Sequence, residues 1–281
     1  MEDNSFTVLP TGKDIKLSAG ETYTGHITIV NPANSTQTLK YSVSAAPYSV
    51  TDENYSVDLS ATTGRTTITE WIKIKEPEGE LQPNESKDIE YTITVPGDAP
   101  AGGQYAALIV TNSPDQESSS SDLTISSVYE IASLIYANVS GKTVHDGTII
   151  ENNVPSFVTR TPVEINATLK NDGNTHEYAS FSIIATNALS GEELFSTESE
   201  DQTPFYEVVM PETTRFVTRQ IDNLPSLGLI RIKQSINYLG ETSTKESNIF
   251  ICPIWFLCLV ALTIAAAVAF IISAIRKHHK K

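Results

Sequence analysis

The residues best suited to acid–base or metal chemistry are three histidines among the first 248 residues, His26, His145 and His176. They lie on separate segments: His26 is at a polar position of an alternating stretch, and His176 lies in a turn. The motifs that join a nucleophile or a metal ligand to its partner (HExxH, GxSxG, SxxK and the Walker loop) are absent from the sequence. We therefore predict no catalytic residue and no enzyme activity.

Carboxylates are plentiful, but most fall at polar strand positions or in loops, where solvation explains them. A glycosidase pair needs only two carboxyl groups about 5 to 9 Å apart in space, so the sequence alone leaves that possibility open. Asp52, Glu53 and Asp58 could bind calcium, although the spacing of an EF-hand loop is absent. We predict no metal site and no cofactor.

Trp71 is the first candidate for a binding residue. It alternates with Ile68, Ile72 and Ile74 along a predicted strand, so it faces the side opposite to these isoleucines. Either Trp71 packs under a loop or against a second domain, or its ring is exposed and can stack on a sugar or hold a protein partner.

Two polar loops supply the other candidates. The segment 112–122 is too polar to be buried and predicts a hairpin loop. In an immunoglobulin-like sandwich this loop and the loop 31–37 share one end, which we expect to point away from the membrane and to contact a partner. A solvated loop without a binding role explains the same composition. The candidate residues are Asn31, Asn34, Ser118, Ser119, Ser120 and Ser121.

Strands must position these residues, because apolar and polar side chains alternate with a period of two in segments such as 23–29, 89–95 and 163–169. The segment 104–111 is apolar on both faces, as a central strand is. Turn-forming Gly, Pro and Asn residues separate the strands, and no helical period occurs before residue 249. The pattern predicts an all-β fold of two tandem immunoglobulin-like antiparallel β-sandwiches.

The two halves look like tandem copies. Each has an Asn-rich turn between alternating strands, around Asn31 and Asn171, and later a Pro-x-x-Gly segment before an apolar strand. We predict a first sandwich over 1–140, a second over 141–248, a transmembrane helix over 249–275 and a basic tail over 276–281.

The helix is predicted from an uncharged run of 27 residues, Ile249 to Ile275, which is long enough to span a bilayer. Pro253 suits the first helical turn, and Trp255 and Phe256 suit the headgroup level. The basic residues after the run are Arg276, Lys277, Lys280 and Lys281. The positive-inside rule therefore predicts a single-pass protein of the plasma membrane with a cytoplasmic C-terminus and an extracellular body. No signal peptide follows Met1, and we expect that one has been removed.

The charge and the cysteine content of the chain limit the classes of partner that it can have. Without the four basic tail residues, 15 basic side chains stand against 34 acidic ones, so the body carries about −19. Such a charge repels nucleic acid, and we predict no nucleic-acid partner. Both cysteines, Cys252 and Cys258, lie in or beside the apolar run, so the body has no disulfide. The lack of disulfides favours a bacterial surface protein.

The segments Trp71-Ile72, 81–86, 89–96 and 99–105 together resemble the first domain of bacterial WxL-interacting proteins, the DUF916 type. The second half, with the segment 171–176, is similar to the C-terminal module often paired with that domain. The resemblance implies two β-sandwiches and a membrane anchor. It also implies that the first domain contacts peptidoglycan and the second contacts host or partner proteins.

Two functions are consistent with these patterns. The first is a membrane-anchored bacterial cell-surface binding or adhesion protein that recognises a cell-wall polymer or another surface protein non-covalently. The alternative is a structural spacer subunit of a membrane protein complex. Both use the lipid bilayer as a partner, and the first also uses peptidoglycan or a surface protein.

Overall fold

A computed structural model describes residues 6–112, 128–198 and 205–278 and divides into two compact units. The first unit comprises Met1–Asp146 and two later turns, Asn171–His176 and Met210–Thr213. The second comprises Gly147–Lys170, Glu177–Val209 and Thr214–Lys281. The predicted boundary at residue 140 differs from this division because the two turns make their contacts with residues far away in sequence.

The first unit contains eleven described strands and one short 3₁₀-helix, Thr67–Trp71. The strands are β1 Thr7–Leu9, β2 Gly12–Leu17, β3 Thr22–Val30, β4 Leu39–Pro47, β5 Ser49–Val50, β6 Val57–Asp58, β7 Ile72–Ile74, β8 Glu78–Leu81, β9 Ser86–Thr94, β10 Gly102–Asn112 and β11 Glu130–Val139.

These strands form two main sheets, in the orders β1-β3-β9-β7 and β2-β11-β10-β4-β8, and a small β5-β6 pair. β2 joins β11 in parallel, and the other pairs are antiparallel. One core cluster takes residues from both main sheets, for example Ile29 of β3, Ile93 of β9 and Leu108 of β10. The first unit is therefore a sandwich, because each main sheet buries one face against the other.

The second unit contains nine further strands and one helix. They are β12 Gly147–Asn153, β13 Phe157–Val158, β14 Val163–Asn171, β15 Glu177–Asn187, β16 Glu193–Ser196, β17 Phe205–Val209, β18 Thr214–Ile221, β19 Gly228–Tyr238, β20 Glu241–Ile251 and α1 Ile254–His278. The sheets have the orders β12-β14-β18 and β13-β20-β19-β15-β16, and β17 also pairs with β15. Their alternating residues fill two core clusters.

The predicted fold class is confirmed: the chain is all-β, with immunoglobulin-like sandwiches followed by one C-terminal apolar helix. Within the described residues, α1 is the one helix long and apolar enough to cross a membrane. Its stretch Ile254–Ser273 has a mean hydropathy of 2.7, and none of it is buried by the part of the chain that the structure describes.

The structure differs from the prediction at two local positions. Residues 67–71 form a 3₁₀-helix rather than part of a strand, so Ile68 is fully buried and alternation begins only at Ile72. The apolar run does not become helical at Ile249, because Ile249 and Ile251 alternate into the core of the second unit. The helix begins at Ile254, directly after Pro253.

Candidate functional site

A cleft of about 550 Å³ lies within the first unit. Its walls come from the β5 region, the turn before the 3₁₀-helix, the start of β10 and the turns that contain Asn174 and Met210. Its lining residues are Tyr48, Ser49, Val50, Thr63, Gly64, Arg65, Thr66, Pro100, Ala101, Gln104, Tyr105, Asn174, Met210, Pro211, Glu212 and Thr213. This volume lies in the range of ligand-binding clefts, which combine apolar walls with a few oriented polar groups.

Arg65 is the cation of this cleft. Its Nη1 donates to the carbonyl of Asn174 at 2.9 Å, and its Nη2 forms an ion pair with Glu212. Its own carbonyl accepts a hydrogen bond from the N–H of Tyr105 at 2.8 Å. A guanidinium has five N–H donors in a planar fork, so the side chain is fixed in place and keeps donors for a ligand oxygen.

Gln104 holds the turn that carries Arg65. It is buried on β10; its Oε1 accepts from the hydroxyl of Thr67 at 3.0 Å, and its Nε2 donates to the carbonyl of Gly64 at 2.9 Å. A buried amide needs such partners, because an unpaired polar group in the interior is costly. Gln104 therefore bonds to the backbone before Arg65 and to a side chain after it.

Tyr55 holds the opposite wall. Its hydroxyl accepts from the N–H of Met210 at 2.8 Å and lies 2.6 Å from Oγ1 of Thr213. Thr213 also donates to the carbonyl of Met210 at 2.8 Å. These bonds fix the turn that presents Glu212 to Arg65.

An aromatic cluster of the first unit adjoins the cleft at Tyr48 and Tyr105. The Tyr105 and Tyr136 rings are 6.1 Å apart in a T-shaped arrangement, and the Tyr136 and His176 rings are 5.3 Å apart. The imidazole of His176 is buried. Its Nε2 lies 2.7 Å from Oδ1 of Asp14, and its Nδ1 lies 3.3 Å from the Tyr105 hydroxyl. His176 thus has partners on both nitrogens and packs as a structural residue.

The structure places the predicted binding residues away from this cleft. Asn31 is buried, and its amide donates to the carbonyls of Gln37 and Leu81, each at 3.0 Å. Asn34 is exposed in the same loop. Because Asn112 pairs with Tyr41 near the start of β4, this loop lies at the opposite end of β10 from the cleft. Ser118, Ser119, Ser120 and Ser121 lie outside the described residues.

Trp71 ends the 3₁₀-helix and is half-buried, packed against the core of the first unit. Of the anchor residues, Pro253 is buried before α1, and its carbonyl accepts from the N–H of Phe256 at 3.0 Å. Trp255 is exposed and meets Phe256 edge to face at 5.7 Å. Arg276 lies in the last part of α1, and Lys280 and Lys281 lie outside the described residues.

The acidic candidates for calcium are engaged in turns. Asp52 accepts from the N–H and hydroxyl of Ser56, and Asp58 accepts from those of Ser60. These hydrogen bonds hold the pKa of both carboxyl groups below the ordinary value. No group of three His, Cys, Asp or Glu side chains suited to a metal ion occurs within the three described ranges.

Sequence reasoning missed Arg65, because a single arginine between Gly64 and Thr66 has no motif around it. The partners that turn it into a site, Asn174 and Glu212, are 109 and 147 residues away in sequence. The one local signal is the Thr-Thr-Gly-Arg-Thr stretch, whose threonines and glycine favour a tight turn.

No protein-family model and no curated protein sequence matches this chain. Among solved structures it is similar to a chain of the chaperone–tip adhesin complex of CFA/I fimbriae biogenesis, at 12% identity over 86% of this chain and 98% of that chain, with a TM-score of 0.43. The Escherichia coli chaperone DraB is 11% identical over 87% of this chain and 96% of its own, with a TM-score of 0.42.

A chain of the Acinetobacter baumannii CsuC–CsuE chaperone–tip adhesion subunit complex is 14% identical over 86% of this chain and 98% of that chain, with a TM-score of 0.39. Likenesses this weak carry no argument about function. The fold class follows from the chain's own strands, and the resemblance to WxL-interacting proteins stays a prediction.

Proposed function

We propose that this chain is a membrane-anchored bacterial cell-surface binding protein that recognises a cell-wall polymer or another surface protein non-covalently. The observation that carries the proposal is the cleft of the first unit, in which Arg65 is held by groups from three separate segments. Rigid placement of a polar group lowers the entropy cost of binding, which is what a recognition site needs.

The chemistry of the cleft suits a ligand that has both apolar and acidic groups. Pro100, Met210 and Pro211 supply apolar surface, and Arg65 supplies a planar fork of donors that matches a carboxylate. The exposed carboxylate of Glu212 now occupies part of this fork. A peptide or a peptide-bearing wall polymer has carboxylates that can take its place.

The apolar helix supports a position of this cleft at a membrane surface. The helix α1 follows the last strand after only two residues, Cys252 and Pro253, and its apolar stretch is long enough to span a bilayer. The basic residues beyond Ile275 support an extracellular body, because lysine and arginine favour the cytoplasmic side.

The cleft can be tested by filling it. We expect Ser49→Trp in the full-length, detergent-solubilised chain to abolish co-sedimentation with purified peptidoglycan, or capture of the surface protein it binds, because the indole occupies ligand space. The matched control is Val57→Trp on the neighbouring strand β6, where the native side chain is 57% exposed and does not line the cleft. Equal binding by both variants contradicts the cleft as the site.

The alternative, a structural spacer subunit, predicts a different outcome of the same purification. A spacer would co-purify with membrane partners through α1, and both tryptophan variants would retain those partners. Failure of the wild-type chain to bind wall polymer or surface protein, together with such partners, would favour the spacer.

A further inference from the structure

Four exposed apolar side chains lie in a row across one end of the large sheet of the second unit, and we call them the apolar row. They are Phe157 at 48% exposure, Phe250 at 40%, Leu229 at 36% and Leu189 at 87%. Scattered exposed apolar residues are ordinary, but a contiguous set indicates a contact surface.

Strand register makes the row contiguous. Phe157 of β13 pairs with Phe250 of β20, and their rings are 6.2 Å apart. Phe250 in turn pairs with Leu229 of β19. The N–H of Ala188 donates to the carbonyl of Leu229 at 3.0 Å, so the exposed Leu189 lies in the turn directly after the residue that is bonded to Leu229. With strands about 4.8 Å apart, the row spans roughly 15 Å.

The row faces away from the core. Ile230, Ile249 and Ile251 are the sequence neighbours of Leu229 and Phe250, and all three are buried in the core of the second unit. Because neighbouring side chains of a strand point to opposite faces, Leu229 and Phe250 point outward. Core packing therefore does not account for the apolar character of the row.

The start of α1 indicates what covers this row. β20 ends at Ile251 and α1 begins at Ile254, so three residues lie between Phe250 and the first residue of the apolar helix, a distance of four Cα–Cα steps. Four extended Cα–Cα steps reach at most about 14 Å, and the headgroup region of one leaflet is about 5–8 Å thick. If α1 spans the bilayer, the row cannot lie far from the lipid surface.

We propose that the apolar row is a second membrane contact, which lies in the headgroup region of the leaflet that α1 enters and fixes the second unit on the bilayer. The proposal rests on the anchoring role of α1 but not on the cleft. The partner is the lipid surface itself, because aromatic and leucine side chains beside a membrane-spanning helix favour the interface.

Charge favours zwitterionic lipid as the partner. The exposed charges in the loops at this end are of both signs, namely Arg160, Glu192 and Asp222. No basic patch is present among these described loops, so attraction to anionic headgroups does not contribute. Contact through the row should then be insensitive to salt, because apolar burial is not screened.

Single-tryptophan fluorescence of the full-length chain in phosphatidylcholine proteoliposomes tests the proposal. All variants carry Trp71→Phe, and Trp255 then reports α1. Two row reporters add Trp255→Phe together with Phe157→Trp or Leu189→Trp; position 189 is in an exposed loop, so its reporter does not disturb folding. The control reporter, which also carries Trp255→Phe, is Tyr206→Trp, at a side chain 60% exposed on β17. β17 pairs with residues 177–181 at the start of β15, whereas the row lies at the other end of β15, next to Asn187.

We expect phosphatidylcholine brominated close to the headgroup to quench both row reporters nearly as strongly as Trp255, with a blue shift of emission, and to leave the control unquenched. Quenching of Trp255 without quenching of the row reporters overturns the proposal. A blue-shifted but unquenched emission from the row reporters overturns it too, since it shows that protein and not lipid covers the row. If Trp255 is also unquenched, α1 does not enter the bilayer, and the anchoring part of the proposed function fails as well.

Discussion

Buried amide side chains decide the local structure of two long turns. Asn31 in the first unit and Asn171 in the turn 171–176 are both buried and bond to backbone of their own loops. The side chain of an asparagine imitates a backbone turn and so satisfies groups that a loop leaves unpaired. Asn31 therefore has a structural reason to be present, independent of binding.

Replacement of Asn31 by alanine should destabilise the protein by about 1–3 kcal/mol, because the carbonyls of Gln37 and Leu81 each lose the hydrogen bond from the Asn31 amide. The measurement is urea unfolding of the solubilised chain. Asn34→Ala, three residues away at an exposed position, is the matched control and should change stability little. Equal effects would contradict the assignment of the Asn31 amide.

The turn at Asp52 should respond to acid. Its carboxylate accepts two hydrogen bonds from Ser56, which hold the pKa of Asp52 below the ordinary 3.8. Protection of the Ser56 amide should be complete above that ordinary value and be lost as the pH falls through the lower pKa of the folded state. Hydrogen exchange, corrected for its intrinsic pH dependence, measures this. An unchanged profile in Asp52→Ala would contradict the explanation.

Close packing across strands fixes the elements of the first unit. Gly25 of β3 pairs with Tyr91 of β9, and the ring of Tyr91 lies over the glycine. A Cβ at position 25 would be 2.4 Å from Cζ of Tyr91, which is closer than real contacts. Burial of this phenol also raises the pKa of Tyr91.

Gly25→Ala should therefore destabilise the protein by about 1–3 kcal/mol, because Tyr91 must move out of a packed core. Gly97→Ala is the control: a Cβ there meets no atom within 4 Å, so we expect a change within about 0.5 kcal/mol. Thermal or urea unfolding compares the two. A Gly25 variant as stable as the Gly97 variant would show that the Tyr91 ring can shift at no cost.

At the scale of the whole molecule, one acidic body is joined to one apolar helix and a basic tail. This asymmetry of charge is the basis of the proposed orientation, since positive residues stay on the cytoplasmic side. We expect the acidic charge of the body to repel nucleic acid.

An impermeant protease added to intact cells should therefore digest the body, and a tag after Lys281 should become accessible only in inverted vesicles or after permeabilisation. The physical reason is that a single crossing by α1 would put the body and the tail on opposite sides of the bilayer. Protection of the body in intact cells would contradict the proposed orientation and the surface function together.

Local patterns in the sequence determined the strands, the fold class and the apolar helix. The segment 104–111 was identifiable as a central strand from its apolar residues alone, and β10 lies between β4 and β11. Such predictions succeed because side chains alternate along a strand whatever its partners are, and because an uncharged run of this length exceeds what a bilayer requires.

Only the tertiary structure decided the cleft, the assignment of two late turns to the first unit, and the apolar row. Arg65 becomes a site through Glu212, which is 147 residues away, and the row exists because the ends of β13, β20 and β19 lie beside the turn that follows β15. Ile249 and Phe250 are equally apolar in the sequence, yet one is buried and the other is exposed. Alternation along β20 puts these two side chains on opposite faces, but only strand pairing over long sequence distances decides which face lies against the core.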